Sequence, residues 1–254
     1  VMYMKSKHYL FYGSERYTQA IMRPIDAAMK ARGDKVAWFF NGPGAEDLQS
    51  DDILLTSVEE VNNWNPIAVI TPNNIVPHFF PGVKVQTFHG FDAGKPRHIY
   101  IRGFFDLYCT TGPKDTEQFV ALAKKLQHFH VEETGWPKLD YFFTQLPANV
   151  APVKQPPTIL YHSTFSPSWS AAETLYPEVK RLSQTGEWKW VVTLHPKTNA
   201  ETRNKFKALE NENLQFSEAD NILELFADAD VMCSDTSSAL SEFLLTRKPV
   251  VTFK

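Results

Sequence analysis

The chain has 254 residues, a formal net charge of -3, 43% hydrophobic residues and 22% charged residues. This length suffices for one large or two ordinary domains, and it can bury a core without disulfides or metals. A nucleic acid as the main partner is disfavoured, because nucleic-acid-binding domains usually carry a strong positive excess. The two cysteines are too few for a disulfide framework or a zinc site, so the composition favours a reducing compartment.

The sequence shows no targeting or membrane-spanning segment. No apolar stretch approaches the roughly 18 residues that a span requires. The first residues carry only the short apolar run Tyr9–Tyr12, which is typical of a strand and not of a signal peptide. We therefore expect a cytoplasmic protein, and peripheral contact with the inner face of the cell membrane, through a partner or substrate, stays open.

Short apolar runs alternate with amphipathic stretches in the first part of the chain. Residues 15–32 place Ile21, Ile25 and Met29 at helical spacing, and Gly33 is a typical stop signal. The predicted helices are Glu15–Arg32 and Asp115–Gln127, and the predicted strands are His8–Tyr12, Lys35–Phe40, Ile53–Thr56, Ile67–Thr71, Val83–Thr87, Phe104–Cys109 and His130–Thr134.

A proline-rich stretch, Leu146–Pro157, interrupts this alternation and indicates a linker, because four prolines without periodicity do not continue a helix. The alternation then resumes. The predicted strands are Thr158–His162, Trp188–Leu194, Leu214–Phe216, Asp230–Cys233 and Pro249–Phe253, and the predicted helices are Ala171–Ser183, Ala200–Leu209, Asn221–Phe226 and Ser237–Thr246.

Strand–helix alternation on this scale predicts right-handed βαβ units and mostly parallel sheets. We predict an α/β protein with two Rossmann-like domains that face each other. The first covers residues 1–148, residues 149–157 form the linker, and the second covers residues 158–254. Because the chain stops just after a strand, we expect the second domain to be incomplete.

Polar residues follow four of the predicted strands, at the carboxyl ends where open parallel sheets bind ligands. A run of small hydroxyl residues at a helix start offers backbone N–H groups and the positive end of the helix dipole, which suit a phosphate. Plain N-capping is an equally good reading of that run, and a lone histidine is usually structural. The four clusters are His89-Gly90, Ser163-Thr164, His195-Pro196 and Ser234–Ser238.

Motifs of several common enzyme classes are missing from the sequence. It contains no P-loop, no GxGxxG, no Ser-His-Asp pattern and no HExxH. Ordinary NTPase, dehydrogenase and metalloprotease functions therefore lack support.

The chain resembles the CDP-glycerol glycerophosphotransferase family, which builds teichoic-acid-like polymers on a GT-B scaffold. Order and spacing agree over roughly residues 85–254, and the last segment is the most specific. The first 80 residues match only at the level of fold. The segments that carry the resemblance are Thr87–Gly90, Asp106–Asp115, Thr134–Asp140, Ile159–Phe165, Val192–Pro196 and Asp220–Phe253.

The resemblance implies roles for individual residues. His89 falls on the family's general base toward the acceptor hydroxyl, and His195 falls on the histidine near the donor diphosphate. Ser237 and Ser238 fall on the paired serines that hold the phosphates, and no metal or cofactor is implied. The other residues assigned to substrate binding are Gly90, Ser163, Thr164, Ser234, Asp235, Thr236 and Glu242.

The implied reaction moves a glycerophosphoryl group from CDP-glycerol to a hydroxyl of a cell-envelope glycan or polyol-phosphate acceptor and releases CMP. Two alternatives stay open. One is a sugar-nucleotide enzyme on the same scaffold, either a glycosyltransferase or a UDP-sugar 2-epimerase. The other is an inert nucleotide-binding module.

Overall fold

The computed structural model describes residues 6–90, 99–140, 144, 152–219 and 222–253. The chain divides into two compact units, residues 1–141 and 142–254. Each unit contains one sheet in which the paired strands run parallel, as the alternation of elements predicts. The predicted linker is described only from residue 152, and its described part contains neither helix nor strand.

The first unit is built on a seven-stranded sheet with the order β3-β2-β1-β4-β5-β6-β7. The chain starts at the central strand β1, builds outward to β3, and then crosses back to place β4 on the other side of β1. The switch point, where the strand order reverses, therefore lies between β1 and β4. The strands are β1 His8–Gly13, β2 Lys35–Phe40, β3 Ile53–Leu54, β4 Ala68–Thr71, β5 Val83–Gln86, β6 Leu107–Thr110 and β7 His130–Glu133.

Three α-helices in the described part of this unit cover the sheet: α1 Tyr17–Ala31, α2 Val58–Trp64 and α3 Pro113–Leu126. Local signals set their ends. A capping box in which Ser57 and Glu60 bond each other's main-chain N–H begins α2. Pro113 begins α3, and Gln127 with φ +60° ends it.

The second unit repeats this topology with five strands in the order β10-β9-β8-β11-β12. Its switch point lies between β8 and β11. The strands are β8 Thr158–Ser163, β9 Lys189–Leu194, β10 Leu214–Phe216, β11 Val231–Ser234 and β12 Val250–Thr252. The helices are α4 Ala172–Ser183, α5 Ala200–Lys207, α6 Leu223–Phe226 and α7 Ser238–Phe243, which continues into a 3-10 turn over Leu244–Thr246.

One face of this second sheet packs on α4 and α5 in an apolar core that includes Tyr161, Val179, Val192 and Phe206. Tyr161 of β8 pairs with Val192 of β9, and because side chains alternate along a strand, the next residue of each strand lies on the opposite face. That opposite face carries His162 and Thr193 side by side near the carboxyl ends of β8 and β9.

The observed start of one strand and the observed end of one helix differ from the predicted ones, each for a physical reason. The strand predicted from Phe104 begins at Leu107, because the preceding residues fold back and the Tyr108 hydroxyl donates a 3.0 Å hydrogen bond to the Arg102 carbonyl. The helix predicted over Ser237–Thr246 tightens at its end, where Thr246 Oγ1 bonds the Phe243 carbonyl at 2.7 Å. The predicted helix start at Asn221 lies outside the described residues.

In the described residues, every helix is too short or too polar to cross a bilayer.

Candidate functional site

His89 lies at the carboxyl edge of the first sheet, in the turn that follows β5. It is exposed, while Gly90 beside it is buried. Phe88 holds a positive φ of 64°, a conformation that a bulky residue seldom adopts. This turn therefore projects the imidazole outward while the flanking residues stay packed.

The hydrogen bonding of His89 fixes its neutral tautomer. Nδ1 lies 3.0 Å from the main-chain carbonyl oxygen of Pro72, in the turn that follows β4. Because a carbonyl oxygen only accepts, Nδ1 carries the proton and the lone pair is on Nε2. An imidazole in this state can remove a proton through Nε2.

Three residues that the sequence analysis did not single out form a chain of contacts that begins at His89. The Tyr17 ring stacks on the imidazole with 5.4 Å between ring centres. Asn73, 5% exposed, donates through Nδ2 to the Tyr17 hydroxyl at 3.2 Å. Gln86, 2% exposed, donates to the Asn73 carbonyl. The signal that could have found them is positional, because Tyr17 and Asn73 lie just after β1 and β4, the strands that flank the switch point.

At the switch point of the second sheet, the Asp235 carboxylate bonds both ends of the loop between β8 and α4. It accepts from the Thr164 main-chain N–H at 3.0 Å and from the Ala171 N–H at 2.8 Å. Ser163 Oγ donates to it as well, and that hydroxyl also lies 3.0 Å from Ser170 Oγ. The structure thus brings the predicted residues Ser163, Thr164 and Asp235 together in one network.

The hydroxyl-rich run after β11 caps a helix and is partly accessible to solvent. Ser237 is the N-cap of α7, and its Oγ accepts the Ala239 N–H at 3.3 Å. Ser237 and Ser238 are half-buried and Thr236 is exposed, so these three residues are accessible to a ligand.

Three other residues predicted to contact substrate lie inside the second unit. Ser234, Asp235 and Glu242 are 0%, 2% and 3% exposed. These three side chains are shielded from solvent in this structure. The Asp235 carboxylate is engaged by protein donors, and the carboxylates of Asp235 and Glu242 would repel phosphate. The network around Asp235 instead shapes the loop that carries Thr164.

His195 follows β9 and has the opposite tautomer to His89. The main-chain N–H of Lys197 donates to His195 Nδ1 at 3.1 Å. Because Nδ1 accepts, the proton of the neutral ring is on Nε2, which makes Nε2–H a donor. The Phe165 ring lies 4.4 Å from the imidazole centre, and Arg203 donates to the His195 carbonyl at 2.9 Å. The ring is therefore held from its own turn and from the loop after β8.

His162, one strand away from His195, is a buried histidine that stays neutral. It is 6% exposed, and burial lowers its pKa to about 4. His195 lowers the pKa further and Asp235 opposes the shift. Among the described residues, its Nδ1 and the Oγ of its neighbour Ser234 have no hydrogen-bond partner.

Residues 82–254 match the family described as CDP-Glycerol:Poly(glycerophosphate) glycerophosphotransferase, so the match covers more than half of the chain. A search of curated protein sequences returned no match.

Solved structures with the same fold include three with bound or soaked ligands. A variant of the wall teichoic acid polymerase TagF soaked with CDPG is 13% identical, with a TM-score of 0.71 over 98% of this chain and 70% of that chain. S. aureus MnaA with UDP is 13% identical, with a TM-score of 0.68 over 98% and 80%. UDP-GlcNAc 2-epimerase from Neisseria meningitidis, bound to UDP-GlcNAc, is 12% identical, with a TM-score of 0.62 over 96% and 81%. At these identities the likeness shows the fold, an α/β architecture of the GT-B type.

Proposed function

Because the chain belongs to the CDP-glycerol:poly(glycerophosphate) glycerophosphotransferase family, we propose that it transfers a glycerophosphoryl group from CDP-glycerol to a hydroxyl of a cell-envelope glycan or polyol-phosphate polymer. The acceptor oxygen forms a bond to the β-phosphorus. The bond from that phosphorus to the oxygen bridging to CMP breaks, and CMP leaves with that oxygen. The acceptor proton passes to a base.

The single observation that carries this proposal is the opposite tautomers of His89 and His195. The Pro72 carbonyl keeps the proton of His89 on Nδ1, which supports a role for Nε2 as the base toward the acceptor hydroxyl. The Lys197 N–H keeps the proton of His195 on Nε2, which supports donation to a phosphate oxygen. A base and a hydrogen-bond donor are the two groups that this transfer requires, since phosphoryl transfer depends mostly on positioning and charge stabilisation.

The residues predicted to bind the donor differ in their accessibility to solvent. Thr236, Ser237 and Ser238 are the accessible hydroxyl residues at the start of α7. We assign donor phosphate binding to them and to His195. We assign to Ser163 and Asp235 the task of shaping the loop that would lie against the nucleotide.

The proposal is tested by measuring CMP release from CDP-glycerol in the presence of glycan and polyol-phosphate acceptors. Replacement of His89 by alanine should lower turnover by about 10²–10⁴-fold, the usual contribution of a general base. His128→Ala is the matched control, because His128 is an exposed histidine of the same unit. Turnover of His89→Ala within a few-fold of wild type would exclude His89 as the base.

The fold likeness to UDP-GlcNAc 2-epimerase and to MnaA keeps a sugar-nucleotide enzyme as the second candidate. Thermal shift with CDP-glycerol and UDP-sugars separates the two candidates, since the donor should raise the melting temperature and the other nucleotide should not. Binding of CDP-glycerol without turnover for any acceptor would favour an inert nucleotide-binding module.

The proposed acceptor also bears on location. A polymer that grows at the cell envelope would bring the protein to the inner face of the membrane as a peripheral partner. Co-sedimentation with vesicles that carry such an acceptor, compared with plain vesicles, tests this part of the proposal.

A further inference from the structure

His89 and the carbonyl that fixes its tautomer belong to different turns. His89 follows β5, and Pro72 follows β4. The 3.0 Å contact between Nδ1 and the Pro72 oxygen therefore persists only if the two turns keep their relative position. The main-chain N–H of Thr87 donates to the Thr71 carbonyl at 3.0 Å and joins the strand ends, and the residues beyond them need a further link.

The buried amide of Gln86 joins these two turns. Its Nε2 donates to the Asn73 carbonyl at 2.7 Å, one residue beyond Pro72. Its Oε1 accepts the Phe88 main-chain N–H at 3.0 Å, one residue before His89. Gln86 is 2% exposed, so the hydrogen bonds at both ends of its amide are shielded from water.

The Phe88 backbone adopts an unfavourable conformation within this turn. Phe88, at φ +64°, is in the left-handed region, which is unfavourable for an aromatic residue. The hydrogen bond from its N–H to Gln86 offsets that cost, and so does packing of its ring against Phe119 at 5.3 Å. The turn that carries His89 is thus stabilised by the Gln86 side chain and by the Phe119 ring.

Asn73 extends the same link to the turn after β1. Its Oδ1 accepts the Ser14 main-chain N–H at 3.1 Å, and its Nδ2 donates to the Tyr17 hydroxyl at 3.2 Å. Tyr17 in turn stacks on the imidazole, with 21° between the ring planes. Burial, followed by the charge of Glu15, raises the pKa of Tyr17 to about 12, so the hydroxyl stays neutral.

We infer that Gln86 and Asn73 are positioning residues for His89: they hold the turns after β4 and β5 together, so that the imidazole keeps its proton on Nδ1 and its lone pair on Nε2. The role as base rests on the proposed function, whereas the tautomer does not. Neither residue contacts the reacting atoms in this scheme. Asn73 lies before residues 82–254, the part of the chain that matches the family model, so the family match does not cover this link.

The experiment reads the tautomer of His89 by long-range ¹H–¹⁵N NMR in wild type and in Gln86→Leu, and measures CMP release in both. Gln118→Leu is the matched control, because Gln118 is an exposed glutamine of the same unit whose amide donates, among the described residues, to the Lys114 carbonyl within its own helix. If Gln86→Leu does not fold, Gln86→Glu replaces it, since a carboxylate keeps the acceptor for Phe88 but lacks the donor for Asn73.

We expect wild type and the control to hold the Nδ1–H form and the Gln86 variant to shift toward Nε2–H. The value of kcat should fall by about 10²-fold, while KM for CDP-glycerol stays within about twofold, because a misplaced base affects the chemical step. An Nε2–H form in wild type, or an unchanged tautomer and kcat in the variant, would overturn the inference. If the tautomer shifts as expected but no chain, wild type included, releases CMP, the inference stands and the proposed function fails.

Discussion

The carboxylate of Asp235, at the end of β11, accepts a 2.8 Å hydrogen bond from the main-chain N–H of Ala171, at the start of α4. The same carboxylate accepts the Thr164 N–H, so one side chain closes the loop over residues 164–171. This loop carries Phe165, whose ring packs on His195. The geometry therefore links a buried carboxylate to a predicted catalytic histidine through a loop.

We predict that Asp235→Asn loosens this loop. An amide keeps one acceptor oxygen but turns an NH₂ toward main-chain N–H groups, and a broken charged hydrogen bond costs about 1–3 kcal/mol. Hydrogen exchange of residues 164–171 should accelerate, and KM for CDP-glycerol should rise about tenfold. Asp228→Asn, an exposed aspartate of the same unit, is the control. Unchanged exchange in the loop would argue against this role for Asp235.

The second prediction concerns the N–H that His195 presents. His195→Ala should lower kcat by about 10²–10³-fold, the usual effect of removing one donor that stabilises developing charge. His195→Gln supplies an amide N–H and should recover part of that loss. Steady-state rates of CMP release compare the three proteins. If glutamine is no better than alanine at this position, hydrogen-bond donation is not what His195 contributes.

The buried His162 should make the stability of the second unit depend on pH. Its folded pKa, about 4, is below its ordinary value of 6.5, so the unfolded chain binds more protons between these limits. The free energy of unfolding should therefore fall as pH decreases from about 6.5 to about 4, by up to about 1.4 kcal/mol per pH unit from this group.

Urea unfolding of wild type and His162→Phe across this range isolates that contribution. The stability of wild type relative to the variant should decrease as pH falls, because phenylalanine does not titrate. His128→Phe, at an exposed histidine, should show no such trend. A constant difference between wild type and His162→Phe would mean that His162 titrates normally.

Lys248, in the Lys-Pro pair before the last strand, should act on stability. Its Nζ donates to the carbonyls of Phe226, Ala227 and Ala229, at 2.9, 2.9 and 2.6 Å, and so caps the end of α6. Lys248→Met keeps the stem but leaves these carbonyls without the ammonium, so the free energy of unfolding should fall by about 1–3 kcal/mol.

The control for this prediction is Lys207→Met, which removes an exposed ion pair with Glu218 and should change stability by less than about 1 kcal/mol. Chemical denaturation measures both variants. Equal effects of the two substitutions would show that the carbonyl contacts of Lys248 contribute little.

The sequence by itself determined the architecture, because apolar periodicity and stop signals are local. Lys35–Phe40 and Leu214–Phe216 were predicted with the bounds that the structure has, and α1 and α4 differ by one or two residues at an end. The sequence also located His89, His195 and Ser237 at strand or helix ends, because a parallel sheet fixes where its loops emerge.

Only the tertiary structure decided what each of these side chains does. Burial of Ser234, Asp235 and Glu242 depends on packing against elements distant in the chain, which no local pattern reports. The tautomer of His89 depends on the carbonyl of Pro72. That carbonyl lies 17 residues away in the chain and comes into reach only when β4 and β5 pair.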